Sequence, residues 1–141
     1  DYTIRTFGSF ISSKFQQHLI TQQIRHVDFL PSIIDYLGIP FDRTFSHFDG
    51  QSIIPLFYGK KIPEEIAFIE TANPLKEKMP PKKPNTKCVR TSNWKLIFNE
   101  YNGTKELYNL HDDPNEENNL YGNSLPIEQK LWDELNKLNK L

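Results

Sequence analysis

Hydrophobic positions along the chain change period several times, and each change marks an element. Residues 4–12 alternate loosely and are rich in β-prone types, which predicts a strand. Residues 12–17 form a polar connection, and residues 18–27, with Ile20, Ile24 and Val27, read as extended. At Asp28 the period lengthens. Leu30, Ile33, Ile34 and Leu37 fall at i, i+3, i+4 and i+7, one apolar face of a helix. Asp28 is placed to cap it with its carboxylate, Pro31 is tolerated in the first turn, and Gly38 is the stop.

Residues 40–50 carry Pro, Asp and Gly and read as a loop. Residues 52–58 predict a short helical turn, with Ser52 as cap and Gly59 as terminator. Residues 65–71 read as a strand, and residues 73–87, with four prolines and five lysines, as irregular. Residues 88–91 and 94–99 are the next strands. Asn102-Gly103 then signals a hairpin whose two central residues take positive φ, and residues 105–110 return. Along 94–99, Trp94, Leu96 and Phe98 share one face, and Lys95, Ile97 and Asn99 the other. After a polar loop over 111–123, Ser124 or a neighbour caps a last helix. Its stripe is Ile127, Leu131, Leu135, Leu138 and Leu141, with Trp132 at the edge. The sum is an α+β fold: a small, mostly antiparallel sheet of three or four strands with helices on one face.

Composition narrows the class. With 141 residues, 37% hydrophobic and 13% aromatic, the chain can bury a real core. No apolar run approaches the roughly 20 residues of a membrane-spanning helix, so no membrane partner is expected. The formal charge is −1, from 17 basic and 18 acidic residues, and gives no reason to expect nucleic acid. The chain opens on Asp1, without Met or a leader pattern, and is expected to begin inside a longer protein. A single cysteine, Cys88, excludes an internal disulfide and a Cys-rich zinc site.

Several clusters invite chemistry. His111, Asp112, Asp113, Glu116 and Glu117 are ligand types that calcium or zinc accepts. Asp113-Pro114-Asn115-Glu116 is also a turn with its own chemistry, and the turn is the stronger reading. His26 and Asp28 are two apart and do not share a helix face, so a structural role is expected. His18 and His47 have no evident partner in the sequence. Cys88, beside Arg90, reads as a packed thiol, and Ser9, Ser12 and Ser13 lack a nucleophile motif. Lys76, Lys78, Lys82, Lys83 and Lys87 concentrate positive charge in the Pro-rich loop, where a solvated loop is the simpler reading. Asn102-Gly103-Thr104 matches a glycosylation sequon that the turn already explains.

Read together, some stretches carry a resemblance. Arg90-Thr91-Ser92-Asn93-Trp94-Lys95-Leu96-Ile97 leads to Glu106-Leu107-Tyr108-Asn109-Leu110. Asp113-Pro114-Asn115-Glu116-Glu117-Asn118-Asn119-Leu120 follows. This order resembles the C-terminal signature of the sulfatase family. The stretch Arg25-His26-Val27-Asp28-Phe29-Leu30-Pro31-Ser32 and its continuation to Ile39 resembles a family helix, with Ser32 where Thr is usual. Asp49-Gly50-Gln51-Ser52, Ile69-Glu70-Thr71-Ala72 and Tyr2-Thr3-Ile4-Arg5 are similar to further segments in the same order. The resemblance spans nearly the whole chain. It implies that residues 1–26 are a strand and connection from the end of a catalytic domain, and that residues 27–141 are the C-terminal subdomain.

The resemblance also implies where the chemistry is not. A sulfatase uses a Cys or Ser in Cys/Ser-x-Pro-x-Arg, converted to formylglycine, with calcium held by Asp and Asn. Metal and cations there would stabilise charge on the sulfuryl oxygens. Cys88-Val89-Arg90 lacks the Pro, and Asp112-Asp113 matches the signature, not the metal site. No catalytic residue and no metal ligand is therefore carried over to this chain. Calcium and formylglycine are implied for the parent enzyme only. The implied partners are the upstream catalytic domain of the same polypeptide and an anionic sulfate-ester substrate. Lys82 and Lys83 are the candidates for contacts at the substrate cleft. The fragment alone is expected to be inactive, with self-association or a rearrangement of residues 1–20. The alternatives are a phosphodiesterase or phosphoglycerol transferase of the same superfamily, and a non-catalytic interaction module.

Overall fold

A computed structural model describes residues 4–17, 19–40, 48–71 and 86–138. They divide into two compact units. One spans residues 6–65; the other runs from residue 66 onward and includes Ile4 and Arg5. Among the described residues no helix is long and apolar enough to cross a membrane.

The unit from residue 66 is built on one antiparallel sheet in the order β1-β2-β3-β4. Its strands are β1 (Ala67–Thr71), β2 (Thr86–Arg90), β3 (Trp94–Asn99) and β4 (Thr104–Asn109). The register places Ile69 opposite Cys88, Val89 opposite Leu96, and Leu96 opposite Leu107. Strand alternation therefore sends Val89, Leu96 and Leu107 to one face. They are fully buried there with Leu131 and Leu135 of α3 (Pro126–Leu138). Trp94 and Phe98 pack against this core, as the alternation of β3 predicts, and Ile127, Trp132 and Leu138 close its margin. Lys105 lays its ammonium 3.9 Å from the Trp132 ring centre and 5.4 Å from that of Tyr121, a cation–π contact that also covers the apolar margin.

Each turn has a local cause. Between β2 and β3, the Thr91 N–H donates to the Trp94 carbonyl at 2.8 Å, and the Thr91 hydroxyl accepts the Trp94 N–H at 3.0 Å. The β3–β4 hairpin differs from its expected form. Asn99 and Thr104 are the last pair, so the loop holds four residues, not two. Gly103 alone takes positive φ, at 71°, and its N–H closes the turn on the Asn99 carbonyl at 2.8 Å. Asn102 stays at negative φ and instead accepts the Thr104 N–H at 3.0 Å on its side chain. Lys87, expected in the irregular loop, belongs to β2. It is buried, and its ammonium meets Glu100 at 2.5 Å.

The unit of residues 6–65 holds α1 (Phe29–Leu37), entered through a single 3₁₀ turn (His26–Asp28), and the short α2 (Ile54–Phe57). Residues 4–12 form no strand. A strand needs a neighbouring ladder, and among the described residues none pairs with this segment. Phe10 and Phe15 instead fold onto Tyr36 and Phe57, with ring centres 4.9–5.9 Å apart. Residues 19–25 are irregular too. The Gln22 and Gln51 side chains donate to the carbonyls of Ile62 and Pro63, at 3.2 and 2.8 Å.

Helix α1 is turned opposite to what its stripe suggests. Its buried residue is polar, Ser32, and Asp28 just before it is 2% exposed, while Leu30 and Leu37 are 54% and 60% exposed. The Asp28 carboxylate does not cap the helix. It reaches back to the Arg25 N–H at 2.7 Å and across to the Gln51 N–H at 3.0 Å, and pairs with the Arg25 guanidinium at 2.9 Å. The Ser32 hydroxyl donates to the Asp28 carbonyl at 2.5 Å and accepts the Ile53 N–H at 3.0 Å. A β-carbon at Gly50 would lie 2.0 Å from the Val27 carbonyl oxygen, so only glycine lets these backbones meet.

Candidate functional site

The acidic signature after β4 is the first place to look for chemistry, and its geometry accounts for each acid. Asp113 is a turn former. Its carboxylate accepts the N–H groups of Glu117 at 3.0 Å and Asn118 at 2.8 Å. These amides, with that of Glu116, hold its carboxyl below the usual range. Glu116 sits at φ 60° and returns its side chain over the sheet. There it takes the Lys95 ammonium on both oxygens, at 2.8 and 3.0 Å, with both side chains largely withdrawn from water. Burial pushes the Glu116 carboxyl up, but the hydrogen bonds and positive charge around it, those of Lys95 first, together outweigh this and the net shift is downward. Asp112 accepts from the Asn109 amide at 2.6 Å, and Asp112 and His111 are both exposed.

Asn119 completes the loop. Its carbonyl oxygen accepts the Leu107 N–H at 3.0 Å, and its amide donates to the Lys105 carbonyl at 3.1 Å. The next residue, Leu120, donates its N–H to the Leu107 carbonyl at 2.8 Å. The signature thus clips itself along the outer edge of β4 and satisfies backbone groups that a further strand would otherwise meet. Sequence reasoning missed Asn119 and Glu116 in these roles. The signal was there for Asn119, since a double Asn after a turn offers a donor and an acceptor at the spacing of a strand edge.

The face of the sheet away from α3 carries the remaining reactive types. Cys88 is buried, and burial pushes its thiol up to about 11 despite Lys95 and Arg90 nearby. It lines a small cavity of about 110 Å³ with Ile4, Ile69, Lys95 and Ile97. Tyr108 is raised to about 12 by burial and by its bond to Glu106, 2.8 Å away. Neither group is poised as a nucleophile near neutral pH.

The other sequence candidates fall apart in space. His26 is exposed and turned toward Phe29, while Asp28 is spent on Arg25 and Gln51. Asn102-Gly103-Thr104 is exposed at the hairpin tip. His18, His47, Lys76, Lys78, Lys82 and Lys83 lie outside the described residues. Among the described residues, no group of three His, Cys, Asp or Glu is placed to hold a metal ion. The chain's residues also do not fit a formylglycine, since Cys88 is buried and followed by Val89-Arg90. What the region does is hold structure: an ion pair over the sheet, a sealed strand edge and a locked helix entry.

Comparison with known proteins gives this structural unit its relatives. The family model described as "N-sulphoglucosamine sulphohydrolase, C-terminal" matches residues 9–141. One similar solved structure is of a protein in complex with its substrate D-glucosamine-2-N,6-O-disulfate. It is 26% identical with a TM-score of 0.60, over 80% of this chain and 23% of that one. Another is a 2-O GAG sulfatase, 23% identical with a TM-score of 0.52, again over 80% and 23%. A third, from Bacteroides thetaiotaomicron VPI-5482, is 24% identical with a TM-score of 0.51. At their lower identity the last two speak for the fold. No curated protein matches the sequence. The chain spans less than a quarter of the length of these solved relatives.

Proposed function

The chain belongs to the N-sulphoglucosamine sulphohydrolase C-terminal family, and from that premise we propose what its parent enzyme does and what this portion contributes. The chain is a C-terminal sulfatase domain, and neither the phosphodiesterase reading nor that of a free-standing interaction module is favoured. The parent hydrolyses sulfate groups on an amino sugar. The support is the family description together with the glucosamine disulfate held by the relative at 26% identity. Calcium and a formylglycine supply the chemistry of the parent, from residues outside this portion. Residues 1–26 end the catalytic domain, and residues 27–141 form the C-terminal subdomain. This portion is inactive alone and shapes the cleft, with Lys82 and Lys83 contributing positive charge toward the sulfate.

One observation carries the division of labour. Asp113, Glu116 and Asn119 of the family-like signature are all engaged in holding the sheet and its edge. A domain whose acids are spent in this way supports a site without supplying it. The test is turnover of glucosamine N-sulfate and 6-O-sulfate by the 141-residue chain and by the polypeptide that includes its upstream part. The longer protein is expected to turn over at least one of them and the 141 residues neither. Activity in the 141-residue chain would overturn the division. In the longer protein, Lys82→Ala with Lys83→Ala is expected to raise KM and weaken its dependence on salt, with kcat less affected. An unchanged KM and salt dependence would remove these lysines from the cleft.

A further inference from the structure

We propose that Asn102 is an acceptor site for an N-linked oligosaccharide, with Tyr101 beside it as the ring on which the first sugar rests. Asn102 is the one asparagine of the sequence followed two residues later by Ser or Thr. The β3–β4 turn explains part of this stretch and no more. Gly103 meets the turn's demand, with its φ of 71° and its N–H on the Asn99 carbonyl. That demand involves neither the Asn102 side-chain nitrogen nor the Thr104 hydroxyl. The turn and the sequon are therefore not alternatives, because the turn is what presents the sequon.

The first support is the state of the Asn102 amide. The Thr104 N–H, which can only donate, lies 3.0 Å from one of its two terminal atoms, so that atom is the oxygen. The Thr104 hydroxyl donates to the same oxygen at 2.8 Å. Among the described residues these are the bonds of both side chains, and Nδ2 carries none. They fix the planar amide with its oxygen turned to Thr104 and its nitrogen on the opposite side. Residues 101–104 are all exposed, so Nδ2 can be reached. The bonds that set this geometry lie within residues 99–104, and the turn can therefore form while the chain is still being made. Asn99 and Thr104 are the last pair of the ladder, so a bulky group on Asn102 lies beyond it and displaces no strand.

The second support is the neighbour. Among the described residues of the sheet unit, Tyr101 is the exposed large apolar side chain, at 81%. A single exposed ring needs no explanation by itself. What distinguishes Tyr101 is its place directly before the acceptor, where the apolar C–H face of a pyranose can pack on its ring. The donor is an oligosaccharide carried on a lipid through a diphosphate. Nδ2 forms a bond to the anomeric carbon as the bond from that carbon to the diphosphate oxygen breaks. The lipid diphosphate leaves with the electron pair, and Nδ2 gives one proton to a base of the transferase. Nothing is oxidised or reduced.

The test uses the polypeptide with its upstream part, secreted from a eukaryotic cell line that supplies this donor. Trypsin cuts after Lys95 and Lys105 and isolates Asn102 on one peptide. Peptide N-glycosidase in heavy-oxygen water is expected to leave a labelled aspartate at position 102 in most chains. A digest without the glycosidase should leave none, which separates a glycan from spontaneous deamidation of the Asn-Gly pair. Thr104→Ala should lose the label, and Thr104→Ser should keep it. Where a variant is not secreted, translation into microsomes gives the same reading as a difference in gel mobility from the parent chain. Tyr101→Ser should lower the share of glycosylated chains. It should also shrink the rise in thermal midpoint that the glycan gives over enzymatically deglycosylated protein. An unmodified Asn102 in the parent chain, or a label that survives Thr104→Ala, would overturn the acceptor site. A glycan with the same occupancy and the same effect on the midpoint in Tyr101→Ser would overturn the part given to the ring.

Discussion

Asp28 holds two backbone amides and a guanidinium at once, with 2% of its surface exposed. Burial alone would raise its carboxyl. The Arg25 side chain and the amides of Gln51 and Arg25 outweigh that, and the carboxyl lies below its ordinary value. A carboxyl depressed in the folded state contributes stability that is fully present above its unfolded value, about 3.9. That contribution is lost as pH falls through the lower folded value. Glu116 and Asp113 shift in the same direction. Stability should therefore fall steeply below about pH 4. Asp28→Asn should lower stability at neutral pH and flatten, without abolishing, the acid limb. Urea midpoints measured across the acid range check this, and a variant whose midpoint falls as steeply as the wild type would show that Asp28 is not among the titrating groups. This role was half legible. The sequence marks an acid at a helix start, a position where forward capping is the common use. The backward and sideways bonds depend on Gly50 bringing the next loop against Val27, which is a tertiary contact.

At the scale of elements, the strands were legible because their signals are local. Trp94–Asn99 alternates cleanly, its apolar half is the half that packs, and Leu131 and Leu135 fall on the buried side of α3 as their spacing requires. Residues 4–12 alternate too, yet form no strand, because alternation describes a side-chain pattern and a strand also needs a neighbour. The edge of β4 shows the same dependence resolved in another way. Asn119 and Leu120 take the place of a neighbouring strand, with the Asn119 side chain bonded to both Leu107 and Lys105. Asn119→Ala leaves the Leu107 N–H and the Lys105 carbonyl without that partner, a loss of about 1–3 kcal/mol. Asn119→Asp keeps the acceptor for Leu107 and loses only the donor, so it should cost less. Denaturation gives the stability change, and amide exchange at Leu107 gives its location. Faster exchange at Leu107 in the Ala variant, with α3 amides slowed or quickened only in step with global stability, is the expected pattern. Unchanged exchange at Leu107 would mean that Leu120 alone seals the edge.

At the scale of the whole molecule, the two units differ in what they leave exposed, and this difference was not legible from hydropathy. The stripe Leu30, Ile33 and Leu37 and the stripe Ile127, Leu131 and Leu135 look alike as patterns. One faces outward and the other lines a core, because the direction a stripe takes is set by what surrounds it. The sheet unit brings its own surroundings: four strands, a helix across them, and the signature loop along the free edge of β4. It should therefore fold when residues 66–141 are produced alone. Both tryptophans, Trp94 and Trp132, pack against its core and report on it by fluorescence. The shortened chain should unfold in one cooperative transition. Its midpoint should lie below that of the full 141 residues, because Ile4, which lines the cavity beside Cys88, is removed with residues 1–65. A broad, non-cooperative loss of fluorescence would show that the sheet depends on residues 6–65 for its fold. A cooperative transition would show that the sheet unit folds without residues 6–65, whose α1 keeps its apolar face exposed in the full chain.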